Sequence, residues 1–451
     1  MSPKKTHMVN SRILKGMMAN GFSQVVNAAI QLLGLPVFLR IWGIELYGEW
    51  LMLSALAAYF TLGDLGFVSV AANDMTMHMA KGDTDKATAV FQSALAVVCL
   101  ASGLILLAVS ALAAVQSHWP ILPLHHIDAT DTSLILFTLG LMVALDFFAG
   151  LAMAGLRARG SYALGIFGNN LGRLAEFLAT LSGVVAGATP LQAIMIMLAM
   201  RVLSTVCMVL LMRKIVPGLS IGYAHASKAE IRLLLGPSIA FMGFPLGNAL
   251  GLQGITLLIG IVLNPAAVVV FTALRTLTRL VTQSLAIVNH SIWPEISIAY
   301  GEQNDALVSS LHQRSVQYSL WIALCGAVSL AWTGGWIVQY WTRGAVKPDL
   351  ILLGLLLLVM VANALWFGSF ILQAATNRHA YIAGSYILSS AAVLALASQL
   401  AKPLGLHGVA LALLAGELTM AFVVIRRSLT LLDLRARALT LAVLQPPRLK
   451  L

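Results

Sequence analysis

Charge is what this chain has least of. Of its 451 residues, 10% are Asp, Glu, Lys or Arg and 59% belong to the hydrophobic set, whereas a soluble domain carries about 25% charged residues. That scarcity excludes water-soluble enzymes, DNA-binding modules and disordered proteins. Cysteine is scarcer still: Cys99, Cys207 and Cys325 lie far apart inside apolar runs, so they build neither a disulfide framework nor a metal knuckle. No stretch is long and polar enough for a soluble domain. A Walker A sequence and any nucleophile–base pair at a recognisable spacing are also missing, and neither a catalytic residue nor a cofactor is expected.

Apolar sequence is abundant instead, with a mean hydropathy of +0.89. A membrane helix needs about 20 apolar residues, and the apolar runs predict an all-α polytopic membrane protein with twelve spans: 16–40, 46–79, 88–115, 132–156, 162–187, 190–212, 233–262, 266–299, 316–341, 349–375, 379–400 and 404–425. The basic N-terminus precedes an apolar stretch too long for a signal peptide and without a small-residue cleavage site, so the first span stays uncleaved. The longest polar connection, Arg213 to Arg232, divides the chain into an N-terminal six-helix half (1–215), a cytoplasmic linker (216–232), a C-terminal six-helix half (233–426) and a basic tail (427–451).

Orientation follows from the 28 Lys and Arg residues. With the N-terminus inside, 20 fall in cytoplasmic segments and four in outer connections (Arg40, Arg343, Lys347, Lys402); the remaining four, Arg173, Arg201, Arg275 and Arg279, lie within spans. Both termini are expected to be cytoplasmic. The same asymmetry explains the net charge of +11 without a nucleic-acid partner, since no basic block exists for a phosphate backbone to follow. The halves are loosely alike. Each opens with a polar-flecked helix, turns tightly outside (Trp42 to Glu45; Asn264-Pro265) and continues into an overlong second helix, as repeat-built transporters do.

Polar residues recur at helical spacing inside these spans. Asn20, Gln24, Asn27 and Gln31 share one face of the first; Ser54, Thr61 and Asp64 one face of the second; Tyr162, Asn169, Arg173, Glu176 and Thr180 follow in the fifth; Thr272, Arg275, Arg279, Thr282 and His290 in the eighth; Asn363, Trp366, Phe370, Gln373 and Asn377 in the tenth. Hydrocarbon offers polar groups no partner, so such faces meet protein or water. Single residues of this kind serve as helix–helix glue, but four amides on one face point to a hydrated cavity. The ionisable residues inside the spans are Arg173, Arg201, Arg275 and Arg279 against Asp64, Asp146, Glu176 and Glu417. Arg173 and Glu176, at i and i+3, form a self-contained pair or take separate roles. Arg275 and Arg279 share a face with no acid near in sequence, and either pair with acids on other helices or await an anionic ligand.

Two signals are read as structural. Asp83-Thr84-Asp85 has the form of a glycosyltransferase metal motif but sits where a helix N-cap belongs. His118, His125, His126 and Asp128 crowd one outer loop at a spacing that matches no zinc pattern.

Between the first and third spans, the run Leu35-Pro36, Leu39-Arg40, Gly43, Tyr47-Gly48 and Trp50, then Leu62-Gly63-Asp64-Leu65-Gly66, then Gly82-Asp83 leading into Ala87 and Phe91, resembles the polysaccharide (O-antigen) flippases. These belong to the multidrug/oligosaccharidyl-lipid/polysaccharide exporter superfamily. Phe271, Leu274-Arg275, Leu277, Arg279 and Trp293-Pro294-Glu295 extend the likeness, as do Leu372-Gln373-Ala374, Asn377-Arg378, Gly405 and Gly408-Val409-Ala410.

The resemblance implies two six-helix halves around a central cavity. It implies a flippase, coupled to H+ or Na+, that moves undecaprenyl-diphosphate-linked oligosaccharide across the bacterial cytoplasmic membrane for O-antigen, capsule or exopolysaccharide synthesis. Membrane lipids surround it, and a polysaccharide polymerase is a further expected partner. By that analogy Arg275, Arg279, Arg173 and Arg201 bind substrate anion; Asn20, Gln24, Asn27, Gln31, Asn169, Asn363 and Gln373 line the cavity; and Asp64 and Glu417 serve ion coupling. A multidrug exporter of the same superfamily is the alternative, for which cavity acids unopposed by arginine are expected. A membrane polymerase or ligase ranks lower, because the longest outer connection, Gln116 to Asp131, is short for a catalytic loop and lacks Lys and Arg.

Overall fold

The structure is a computed structural model that describes residues 3–64, 66–119, 122–376, 378 and 380–432. The side chains of Asp64, His118 and His290, and all of Asn377, lie outside the described residues. Among the described residues every regular element is helical, in two compact units, Met1–Met242 and Gly243–Leu451.

The first unit contains α1 (Pro3–Phe60), a 3-10 turn (Thr61–Asp64), α2 (Phe67–Ala80), α3 (Thr84–His118), α4 (Ala129–Ala158), α5 (Tyr162–Val185), α6 (Pro190–Ile215) and α7 (Lys228–Phe241). The second contains α8 (Gly243–Ala249), a π turn (Leu250–Gly254), α9 (Ile255–Val262), α10 (Pro265–Gly301), α11 (Asp305–Trp341), α12 (Leu350–Ala375) and α13 (Ala380–Leu432).

Two helices are too long to cross once. At about 1.5 Å per residue, the 58 residues of α1 and the 53 of α13 each exceed twice the ~30 Å hydrocarbon core. Each breaks at one glycine in the left-handed region, Gly43 (φ 76°) and Gly405 (φ 58°), where a side chain would be strained. Each is therefore two crossings joined by a single-residue turn. Among the described residues, nine helices are long and apolar enough to cross a membrane. Counting α1 and α13 twice, and adding the 24-residue α5 with its intramembrane charges, gives the twelve crossings read from the sequence.

Helix starts follow local chemistry. Asp83 caps α3 by accepting from the Lys86 amide, and Thr189 and Gln192 form a capping box on α6. Asn264 caps α10 with Pro265 behind it.

The seventh span departs from expectation: the helix read over 233–262 is α7, α8, the π turn and α9. Pro237 and Pro245 remove backbone donors there, and glycines recur at 243, 247 and 251. They allow close packing. A Cβ on Gly247 would lie 2.5 Å from Cδ1 of Tyr386, so only glycine lets α8 settle on α13.

The connection expected as a linker is stitched to α3: the Thr88 hydroxyl donates to the Gly218 carbonyl (3.1 Å), the Ser227 amide to Ser93 Oγ (3.0 Å), and Lys86 Nζ pairs with Glu230 (2.5 Å). Phe67, Met75, Phe91, Leu151, Leu156 and Met212 form the core among α2, α3, α4 and α6. The α3–α4 loop is held by fully buried Glu49 on α1, which accepts from the amides of His125 (2.6 Å), His126 (3.0 Å) and Ile127 (3.0 Å). His126 Nδ1 meets the same carboxylate at 3.0 Å, and Asp128 caps α4, which accounts for two of the four crowded loop residues.

Candidate functional site

The second unit holds a half-open cavity of about 380 Å³ with a mixed polar and apolar lining, within the ~300–1,000 Å³ range of small-molecule sites. α10 supplies Arg275, Thr278, Arg279, Thr282, Gln283 and Ala286. At about 100° per residue these fall within an arc of roughly 140°, so one helix face enters the cavity. Arg275 and Arg279 lie ten and fourteen residues past Pro265, about 15 and 21 Å along the helix. α12 contributes Asn363 and Met360; α13 contributes Tyr386, Ser389, Ser390, Glu417 and Met420; α8 and the π turn add Asn248 and Gly251.

The two arginines carry most of the chemistry. Arg275 Nη2 donates to the Gly251 carbonyl at 3.5 Å, an oxygen made available by the π turn, and its guanidinium lies 5.5 Å from the centre of the Phe271 ring. Arg279, Tyr386 and Glu417 line the same cavity. Like charges at i and i+4 repel within a helix. Among the described residues, neither Arg275 nor Arg279 forms an ion pair. Glu417 is occupied otherwise: its Oε2 accepts from Asn363 Nδ2 (3.0 Å) and Trp366 Nε1 (2.5 Å). With Glu417 ionised, the cavity lining carries two positive charges and one negative.

The remaining candidates are distributed elsewhere. Arg201 on α6 is held by Glu176 through Nε (2.6 Å) and Nη2 (2.8 Å), and by Asp146 of α4 through Nη1. Glu176 therefore pairs with Arg201 and not with Arg173, which is exposed. Asn20 and Gln24 are exposed on α1, and Asn27, Gln31 and Asn169 half-buried. The amide that binds α5 to α1 is Asn170, donating to Ser23 Oγ at 2.6 Å, one position from the Asn169 expected. Gln373 does not line the cavity. It is buried and bonds Ser428 Oγ at 3.2 Å; through Ser369 and the Gly368 carbonyl this joins a buried network with His312, Ser315, Asn289 and Ser319 that ties α10 to α11, α11 to α12 and α12 to α13.

Sequence reasoning missed Tyr386, Asn248, Thr278 and the π turn. The available signal was the glycine repeat at 243, 247 and 251, which marks a helix brought close to a bulky neighbour.

No protein-family model matches the chain, and no curated protein matches it in sequence. Solved structures do. The chain is similar to the inward-facing conformation of a multidrug resistance MATE family transporter of the MOP superfamily, with a TM-score of 0.77 at 12% identity over 92% of this chain and 95% of that one. It is also similar to the outward-facing conformation of such a transporter (TM-score 0.60, 16% identity, 95% and 94% covered) and to MATE in a bent conformation (0.60, 16%, 96% and 95%). At such identities the likeness is one of fold: the chain is an all-α polytopic membrane protein folded like these transporters.

Proposed function

We propose that the protein is an ion-coupled, alternating-access exporter. Its cargo, on this reading, is undecaprenyl-diphosphate-linked oligosaccharide, carried across the bacterial cytoplasmic membrane for O-antigen, capsule or exopolysaccharide synthesis. One observation carries it: the cavity holds two arginines that, among the described residues, form no ion pair. A guanidinium offers a fork of donors that matches a phosphate, and an arginine within a membrane span without such a ligand is costly. Asn363, Asn248 and Tyr386 supply groups for sugar hydroxyls beside that anion site; the amides of α1 and exposed Arg173 are further polar groups proposed to meet cargo in the first unit. Arg201, already bound to two carboxylates, is assigned a structural part. Asp64 is the acid proposed to link a proton or sodium ion to the export cycle, whereas Glu417, the other expected coupling acid, is proposed to act within the anion site itself. The termini are cytoplasmic on this reading, and a polymerase would take the exported product.

A multidrug exporter is the second reading, favoured by what the similar solved structures are named for. A site for cationic drugs requires acids unopposed by arginine, whereas Glu417 shares its cavity with two.

The test is the Arg275→Ala, Arg279→Ala double variant in a strain lacking its own polysaccharide flippase. The protein should accumulate normally while lipid-linked oligosaccharide stays on the inner leaflet, and Lys at both positions should rescue only partly, because charge returns without the fork. Normal surface polysaccharide in the Ala variant overturns the anion site. Efflux of a cationic dye that is lost in Glu417→Gln would establish the multidrug reading instead.

A further inference from the structure

Glu417 and Arg275 line one cavity and, among the described residues, form no ion pair with each other. The groups around the carboxylate come from three helices. Arg275, with Arg279 beside it, faces it from α10; Asn363 and Trp366 face it from α12; Tyr386 lies on α13 itself. Among the described residues no second acid lines the cavity. Both donors to Glu417 fall on Oε2, so Oε1 takes no hydrogen bond from a described residue.

We propose that Glu417 is an internal counterion that competes with an anionic ligand for Arg275, so that the cavity gains a proton on Glu417 whenever it binds a phosphate or diphosphate group. The proposal deepens the exporter reading and rests on the two arginines being its anion site.

The sign follows from charge. An ionised Glu417 repels a diphosphate held a few ångströms away in a low-dielectric cavity, and it offsets part of the attraction of Arg275. A proton removes both penalties. The neutral carboxyl keeps one oxygen as acceptor for Asn363 and Trp366 and presents an O–H that donates to a phosphate oxygen. Linkage is reciprocal: the factor by which the proton tightens anion binding is the factor by which the anion tightens proton binding. A separation of one pKa unit between the empty and occupied cavity makes that factor about tenfold. Affinity is high and flat below the pKa of the empty site, falls through the interval, and is low and flat above the pKa of the occupied site. The proton comes from solvent as the ligand enters and returns as it leaves. Since the two bind together, they move together, and the opposing ion flow that drives export uses a group other than Glu417.

The experiment uses the full chain in lipid nanodiscs, titrated calorimetrically with inorganic pyrophosphate and with farnesyl diphosphate between pH 5 and 9, in buffers of different ionisation enthalpy. A diphosphate itself titrates, so the readout is wild type minus Glu417→Gln. Wild type should take up a fraction of a proton more than E417Q, and E417Q should bind about tenfold tighter at the alkaline end with the extra pH dependence gone. Binding of farnesyl diphosphate but not pyrophosphate would identify a lipid-attached diphosphate; equal binding would identify the phosphate group alone, and both are compatible with the counterion. Trp366→Phe provides a second check: loss of one donor to the ionised carboxylate should move the midpoint to higher pH. An unchanged proton count in E417Q, weaker binding in E417Q, or an unmoved midpoint in W366F overturns the counterion while loss of binding in R275A R279A keeps the anion site. Wild-type binding in R275A R279A overturns both.

Discussion

Arg201 is the residue whose removal should destabilise the first unit most. Its guanidinium joins α4, α5 and α6, and its two carboxylate partners differ sharply: the Glu176 side chain is 7% exposed and that of Asp146 is 45% exposed. The Glu176 arm is bidentate and buried, so Arg201→Ala strands a carboxylate away from water, a loss of about 3–5 kcal/mol. The Asp146 arm is half in the open, and an exposed ion pair contributes about 0–1 kcal/mol. Asp146→Asn should therefore be nearly silent, and Arg201→Ala severe. Adding Glu176→Gln to Arg201→Ala removes the stranded charge and should restore about 2–3 kcal/mol, the coupling expected of residues in direct contact.

The assay is SDS-induced unfolding of the purified protein in mixed micelles, followed by tryptophan fluorescence, for wild type, R201A, E176Q, D146N and R201A E176Q. Stability in R201A equal to wild type would refute the argument, as would a D146N cost matching that of R201A. Export in the same variants separates the two roles considered for Arg201. A structural arginine loses export in proportion to folded protein, and R201A E176Q regains it; a cargo-binding arginine leaves the double variant folded and inactive.

Two further predictions test supports outside the arginine cluster. Gly247→Leu drives a side chain into the Tyr386 ring that a Cβ already approaches to 2.5 Å, so α8 should shift off α13 and pyrophosphate binding fall, with Gly247→Ala milder, as calorimetry would show. Glu49→Gln removes the charge that three loop amides share, at a cost of about 1.5–3 kcal/mol for each charge-assisted bond lost; hydrogen exchange at His125–Ile127 should rise by more than tenfold, and unchanged protection would refute the clasp.

The crossings were legible because hydropathy registers twenty-residue windows and because Pro, Asn and Gly mark the turns between them. The pair Asn264-Pro265 reads as cap and first helical residue, and it behaves so. The interruption between Phe241 and Ile255 was only partly legible: Pro245 and the glycines at 243, 247 and 251 stand in the sequence, but membrane helices tolerate such residues. What distinguishes it is which glycines face a bulky ring on a helix more than 130 residues later, and no window on the sequence contains that ring.

Site residues divide by angle. Asn20, Gln24, Asn27 and Gln31 stay within about 60° of one another at 100° per residue, and the α10 residues within about 140°, so a one-face reading holds for both. Asn363 and Gln373 are ten residues apart and therefore about 80° apart, enough that Asn363 reaches Glu417 while Gln373 turns to Ser428. Glu176 and Arg173, three residues apart, differ by about 60°; Glu176 is buried against α6 and Arg173 is exposed, so the nearest base in sequence is not the partner. A stripe drawn by spacing identifies a face only while its accumulated drift remains below the angle one neighbouring helix covers. Beyond that limit the choice of partner belongs to packing. The same limit explains why Arg275 was read with no acid beside it: Glu417 stands 142 positions away on another helix, and Asn363 and Trp366 hold its carboxylate short of an ion pair.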